Sequence, residues 1–309
     1  RPWLLTLGCA IHASAVFACW NTLPEPADNG WFRLDGLGLL VLSLASAMTL
    51  VCSVYCLEYL RLRRERRNRL FTACLSFVLG AVSLVAVSRH MGLLWVGMEA
   101  ATLAAAPLIH FNHNERSLEA TWKYLMMGSL GIGLALLGTF FLALAALPFA
   151  GPGDPLVIDS LLARAGTLSV PWLKGAFIFL LVGYGTKMGL APLHSWKPDT
   201  YGEAPGVAGA ILAGVITSCP FLGILRAFQI CAAAGLAGFA QNLLVIMGLL
   251  SMATAAAFII GQRDFKRMLA YSSVEHMGIL ALGVGLGPAV AFAALLHMLN
   301  NGLTKCVLF

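Results

Sequence analysis

Charge is what this chain has least of. Only 11% of its 309 residues are Asp, Glu, Lys or Arg, while 59% are hydrophobic. A soluble domain carries about 25% charged residues, so a free enzyme or binding module is excluded and a polytopic membrane protein is the reading left. The mean hydropathy of +0.84 agrees. Cysteine patterns that build metal or redox centres are lacking too. The eight cysteines (Cys9, Cys19, Cys52, Cys56, Cys74, Cys219, Cys231 and Cys306) include no C-x-x-C and no Cys/His cluster at zinc or iron–sulfur spacing. Cys52 and Cys56 share a helix face and read as small apolar packing. No metal, cofactor or redox centre is expected. Phosphate-binding loops, nucleotide fingerprints and nucleophile elbows are absent as well. The chain has no starting Met and stops inside an apolar run at Phe309, so it reads as a fragment cut at both ends, with no recognisable cleavable signal.

What is present is a succession of apolar windows. Ten candidate spans lie near 3–20, 37–60, 70–88, 92–110, 118–147, 172–191 with a broken extension to about 203, 205–226, 236–260, 268–286 and 288–309. They predict an all-α transmembrane bundle, one membrane domain over 1–309 and no soluble one. The Gly- and Pro-rich stretch 148–171 is expected at the surface. The net charge of +6 does not point to nucleic acid, because most basic residues fall in two short loops. One is RLRRERRNR, with Arg61, Arg63, Arg64, Arg66, Arg67 and Arg69; the other is QRDFKR, with Arg263, Lys266 and Arg267. Ten spans put both loops on one side, which the positive-inside rule makes cytoplasmic. Glu25, Asp28 and Asp35 fall on the opposite side.

The stretch VGYGTKMGLAPLHSWKPDTYGEAP, from Val182 to Pro205, organises the rest. Lys187 sits near mid-bilayer, and Pro192, which lacks an N–H, should break the helix soon after it. Beyond the break come His194, Trp196, Lys197, Asp199 and Glu203. A charge at that depth costs about 2.5–3.5 kcal/mol on insertion scales. Irregular backbone is tolerated there only against protein or a water-filled cavity, and transporters use such breaks to build ion sites.

Other polar groups interrupt apolar spans. Glu99 lies about two turns into its span and is either a structural carboxylate or a proton-handling one. Burial disfavours the charged forms of carboxyl and amine alike, so a Glu99–Lys187 pair is placed to exchange protons. The alternative for Lys187 is a cation that only pins an acid. His297, Asn301 and Lys305 recur at i, i+4, i+8 and line one face, like a hydrated path. Glu275 and His276 point to different faces, and either joins such a path or serves its own surroundings. Glu119 and Lys123 are spaced as a surface ion pair or a relay, and Asp199 and Glu203 suit the cytoplasmic mouth of a channel.

Four segments carry a resemblance: LLWVGMEAATLA, FLLVGYGTKMGLAPLHSWKPD with GEAP after it, RDFKRMLAYSSVEHMGILALG, and HMLNNGLTKCVLF. In this order and spacing the chain resembles the antiporter-like proton-translocating subunits of respiratory complex I and its relatives, most closely the hydrogenase-4 component F type. The resemblance implies inverted five-helix repeats, each with a broken helix: a first repeat over about 70–226 and a second from about 236, cut short. It implies that Glu99, Lys187, His297 and Lys305 form a proton pathway, with Lys123, His194, Asp199, Glu203, Glu275, His276 and Asn301 as further candidates. It also implies partner subunits that hold the redox chemistry, such as those of a hydrogenase or quinone reductase, and a bacterial inner membrane. Asn301 stands where relatives often have His, and Lys197, Thr200 and Tyr201 depart from the usual W-L-P-D-A-H pattern. A multisubunit sodium/proton antiporter and a non-pumping membrane anchor are the rival readings.

Overall fold

Backbone polar groups cannot be left open in hydrocarbon, so a chain this apolar must satisfy them within helices. The computed structural model describes residues 2–27, 30–63, 65, 68–147 and 154–309, and helices dominate it. In order they are α1 (Pro2–Cys19), α2 (Gly36–Leu62), α3 (Asn68–Val87), α4 (Met91–Ile109), α5 (Glu115–Ala146), α6 (Ile158–Ala163), α7 (Val170–Met188), α8 (Trp196–Glu203), α9 (Gly206–Ala210), α10 (Thr217–Ala233), α11 (Ala237–Ile259), α12 (Phe265–Gly285) and α13 (Pro288–Leu308). A π-helical turn, Ile211–Ile216, joins α9 to α10.

Among the described residues seven segments are long and apolar enough to cross a membrane: Pro2–Cys19, Gly36–Leu62, Asn68–Val87, Met91–Asn112, Glu115–Ala146, Gly206–Ala233 and Ala237–Ile259. The other three expected spans are helical, as α7, α12 and α13, but do not meet that measure. The reason is local. These helices carry Lys187, Glu275 with His276, and His297 with Asn301 and Lys305, and each polar group lowers the apolarity of its window.

Tight helix contacts rest on small residues. A Cβ on Gly183 of α7 would come within 2.5 Å of the Gly131 carbonyl oxygen and the Ala135 nitrogen of α5. Gly248 of α11 and Gly278 of α12 approach in the same way, each facing the other's carbonyl at 2.8 Å from such a Cβ. Close backbone approach replaces the hydrophobic drive that lipid cannot supply. The π turn has a cause in the sequence as well. Pro220 lies inside α10 and has no N–H to donate to the carbonyl four residues earlier, at Ile216, where the π turn ends.

The stretch after α5 is less superficial than expected. Residues 148–153 of it lie outside the described residues; beyond them Ile158 and Leu161 of α6, and then Ala165 and Leu168, are buried. The Ile158 N–H donates to the Arg89 carbonyl (2.7 Å), and His90 pairs with Asp154 (3.0 Å), so the segment is sewn to the start of α4. Its apolar residues need a partner surface once its backbone is anchored there.

The two ends of the bundle differ in charge. Tyr59 of α2, Phe71 of α3 and Phe111 after α4 are in ring contact at the end that also holds Arg61, Arg69, Lys266 and Arg267. Of the first basic loop, Arg64, Arg66 and Arg67 lie outside the described residues, as does Asp28 of the acidic loop. At the opposite end Asp35 caps α2 by accepting from the Gly38 N–H (2.9 Å) and meets Arg89 (3.2 Å) and Arg226 (2.5 Å).

Candidate functional site

The broken helix is present, and it breaks earlier than the sequence suggests. α7 ends at Met188, because Gly189 takes a left-handed conformation (φ 84°) and its N–H turns back to the Gly185 and Thr186 carbonyls. This is a glycine helix stop, so Pro192 lies in the irregular turn rather than causing it. The turn is held from two sides. The Ala191 N–H donates to Ser251 Oγ of α11 (2.9 Å), and Trp196 Nε1 donates to the Thr186 carbonyl (3.0 Å). Farther on, the Lys266 ammonium donates to the Ala204 carbonyl at the C-terminal end of α8 (2.9 Å), where a cation also suits the helix dipole.

Lys187, on the last turn of α7, is only 2% exposed. Its Nζ donates to Thr102 Oγ1 of α4 and, at 3.4 Å, to Tyr124 Oη of α5, and it lies 4.7 Å from the centre of the Tyr124 ring. Gly128 leaves it room: a Cβ there would stand 3.3 Å from Nζ. Glu99 and Lys187 make no ion pair within 4.0 Å. Glu99 is one turn before Thr102 on α4, and its Oε2 is buried without a hydrogen-bond partner. Thr102 accepts from Lys187 while donating to the Met98 carbonyl (2.8 Å).

The polar face of α13 meets α12. His297 Nε2 and His276 Nδ1 are 3.0 Å apart, which brings His276 into this face. Lys305, 1% exposed, donates to Ser272 Oγ (2.9 Å) and to the Leu269 carbonyl (3.1 Å). Asn301 is buried between them, with its Oδ1 unpartnered. Glu275 is half-buried beside its neighbour His276.

The remaining candidates gather at the basic end. Lys123 pairs with Glu119 (2.6 Å) and with Asp199 (2.7 Å), and Arg267 grips the other oxygen of Asp199. Lys123 is thus in an exposed ion-pair network rather than in the interior. With Glu203, Arg116 and Asp264 these residues line an open cavity of about 360 Å³. His194 is half-buried in the break, with its ring 6.3 Å from Tyr271 and its Nδ1 unpartnered.

Residues 88–309 match the family described as NADH:quinone oxidoreductase/Mrp antiporter, TM. The chain belongs to that family. It is 35% identical to a hydrogenase-4 component F homolog of Methylacidiphilum infernorum, an alignment covering 99% of this chain and 66% of the relative. It is 31% identical to NADH-quinone oxidoreductase subunit N of Desulforudis audaxviator, covering 100% of this chain and 63% of the relative. The chain therefore spans just under two thirds of these relatives' length. Among solved structures it resembles a chain of the membrane-bound sulfane sulfur reductase, an archaeal respiratory membrane complex, with a TM-score of 0.88, 20% identity, and coverage of 99% of this chain and 63% of that one. At that identity the likeness speaks for the fold alone, and the multi-pass, membrane-embedded character comes with the family match.

Sequence reading missed several groups around this antiporter-like core. Thr102 and Tyr124 carry the hydrogen bonds of Lys187, and Ser272 carries one of Lys305. Hydroxyl residues are common in helices, so composition does not single them out. The burial of Lys197 (0% exposed) and its bond to Ser273 Oγ (2.9 Å) come from packing between α8 and α12, which the sequence does not display. Among the described residues no grouping of His, Cys, Asp and Glu is placed to hold a metal ion.

Proposed function

We propose that this chain is the proton-conducting core of a membrane subunit in a hydrogenase-4 or complex I-like complex. The observation that carries this reading is Lys187: a fully buried amine at a helix break, held by the hydroxyls of Thr102 and Tyr124 rather than by a carboxylate. A buried ammonium locked to a carboxylate would be expensive to discharge, whereas one on neutral acceptors can lose and regain its proton with little rearrangement. Glu99, Lys187, His297 and Lys305 are the pathway groups, with the Asp199–Glu203 cavity as the cytoplasmic mouth. Helices over about 70–226 form the first repeat, and those from about 236 begin the second.

The electron-transfer chemistry belongs to other subunits, membrane and peripheral, as the names of the hydrogenase-4 and quinone-oxidoreductase relatives suggest. Those relatives are bacterial, which supports a bacterial inner membrane. Redox turnover in the partners shifts proton affinity along the buried line, and a displacement of one pKa unit needs only about 1.4 kcal/mol.

A sodium/proton antiporter is the second reading, favoured by the Mrp antiporters in the family description. Inverted vesicles holding the full-length protein in its complex separate the two. The pump reading expects a redox-driven pH gradient of equal size with and without sodium. A gradient raised by a sodium pulse alone, with electron transfer blocked, contradicts it.

A further inference from the structure

Three lysines are buried in the interior beside the helix break, and the pathway above uses two of them. The third, Lys197, is 0% exposed. Its side chain lies across the break: a Cβ on Gly189 would come within 2.4 Å of Lys197 Cε, so the glycine that stops α7 also makes room for this lysine. From there Nζ donates to Ser273 Oγ of α12 (2.9 Å). Ser272, its chain neighbour, accepts from Lys305 of α13 (2.9 Å). Toward Lys187 a line of ring contacts leads back: Lys197 Nζ is 5.7 Å from the Tyr201 ring centre, Tyr201 meets Trp196 (6.2 Å), Trp196 meets Tyr124 (5.4 Å), and Tyr124 Oη accepts from Lys187. Among the described residues no carboxylate oxygen lies within 4.0 Å of Lys187, Lys197 or Lys305.

We infer that Lys197 is a further proton carrier, the link between Lys187 at the helix break and Lys305 on α13. This rests on the pump reading above. A structural cation in a dry interior takes a carboxylate partner, because an unpaired buried charge is costly; Lys197 has a serine hydroxyl and the Tyr201 ring, and no carboxylate. Three unpaired ammonium groups in one interior also repel one another, so charging one disfavours charging the next. That is the behaviour of a row of sites sharing fewer protons than positions. A proton leaving Lys187 Nζ passes by the Tyr124 hydroxyl and internal water to Lys197 Nζ, and one leaving Lys197 reaches Lys305 by way of the serine hydroxyls or internal water. A hydroxyl that accepts one proton gives up another, so it ends unchanged and charge is conserved at each step.

The test uses the full-length protein in its complex, in inverted vesicles, with protons translocated per electron as the readout. Lys197→Leu, Lys197→Gln and Lys197→Arg are compared with wild type and with Lys187→Ala. Leucine and glutamine have no proton to carry, and arginine keeps the charge but does not release it at working pH. The inference expects all three variants that assemble to lose at least tenfold in translocation. A structural cation would be replaced by arginine, so wild-type translocation in Lys197→Arg overturns the inference, as does wild-type translocation in the leucine or glutamine variant. Should leucine prevent assembly, the glutamine and arginine variants decide. Loss in Lys187→Ala with none in the Lys197 variants removes only this link; wild-type translocation in Lys187→Ala removes the pump reading itself.

Discussion

Arg226 and Asp35, 191 residues apart, close the end of the bundle opposite the basic loops with two hydrogen bonds of 2.5 and 2.6 Å. The Arg226 side chain is 1% exposed and that of Asp35 26%, so the arginine depends on its acid. Burial pushes the Asp35 carboxyl up, but the Arg226 guanidinium, the Gly38 N–H and Arg89 outweigh it and hold the group below its usual value. A folded-state value below the unfolded one means that the stabilisation is complete above the ordinary carboxylate range. It is lost as pH falls through the lowered value. Thermal unfolding of the full-length protein in detergent, from pH 7 down to 3, should show this loss in wild type. Asp35→Asn keeps an N-cap but strands Arg226; we expect it to cost about 3 kcal/mol at pH 7 and to flatten the acid limb. An unchanged acid limb in Asp35→Asn would show that the pair does not set the pH dependence.

The His276–His297 contact should make the two imidazoles one functional unit. Each contributes a ring nitrogen to a single 3.0 Å hydrogen bond between α12 and α13. Residues acting as a unit are non-additive. His276→Ala and His297→Ala should lower protons per electron by similar factors, and the double variant should be no worse than either. Losses that multiply in the double variant would mean that the two histidines act separately.

Gly183 is a packing prediction. Its missing Cβ would lie 2.5 Å from two backbone atoms of α5, which have no rotamer to move aside. Gly183→Ala should therefore push α5 and α7 apart, at a cost of about 1–3 kcal/mol for overpacking. Because Gly183 lies one helical turn before Lys187, the Lys187–Thr102 contact should loosen as well. A lowered thermal midpoint with reduced translocation checks this; a midpoint equal to wild type would show that the helices have slack there.

Isolated polar residues in apolar runs were legible from sequence, since nothing else explains their cost there. Glu99, Lys187 and the His297–Asn301–Lys305 stripe all came from that contrast, and each lies in the interior or at its edge. The break was legible too, but its position was set by Gly189 rather than Pro192, because a left-handed glycine ends a helix before a later proline acts. Lys197 was not legible as a buried group. It follows Trp196 in a stretch already rich in polar residues, and only the packing of α8 against α12 takes it out of water. The pairing of Arg226 with Asp35 had no local signal, because the two are neighbours only after the chain has folded. The π turn left one trace, Pro220, which is compatible with a plain kink as much as with a wider turn.

The central claim is that Lys187 carries protons that cross the membrane. Its most direct test is the pH gradient built by inverted vesicles containing the full-length protein in its complex, with wild type and Lys187→Ala compared at matched assembly and matched electron-transfer rate. The proton-path account predicts that the variant keeps electron transfer and loses the gradient. A gradient equal to wild type would contradict the account, leaving Lys187 a structural residue and the chain a membrane anchor.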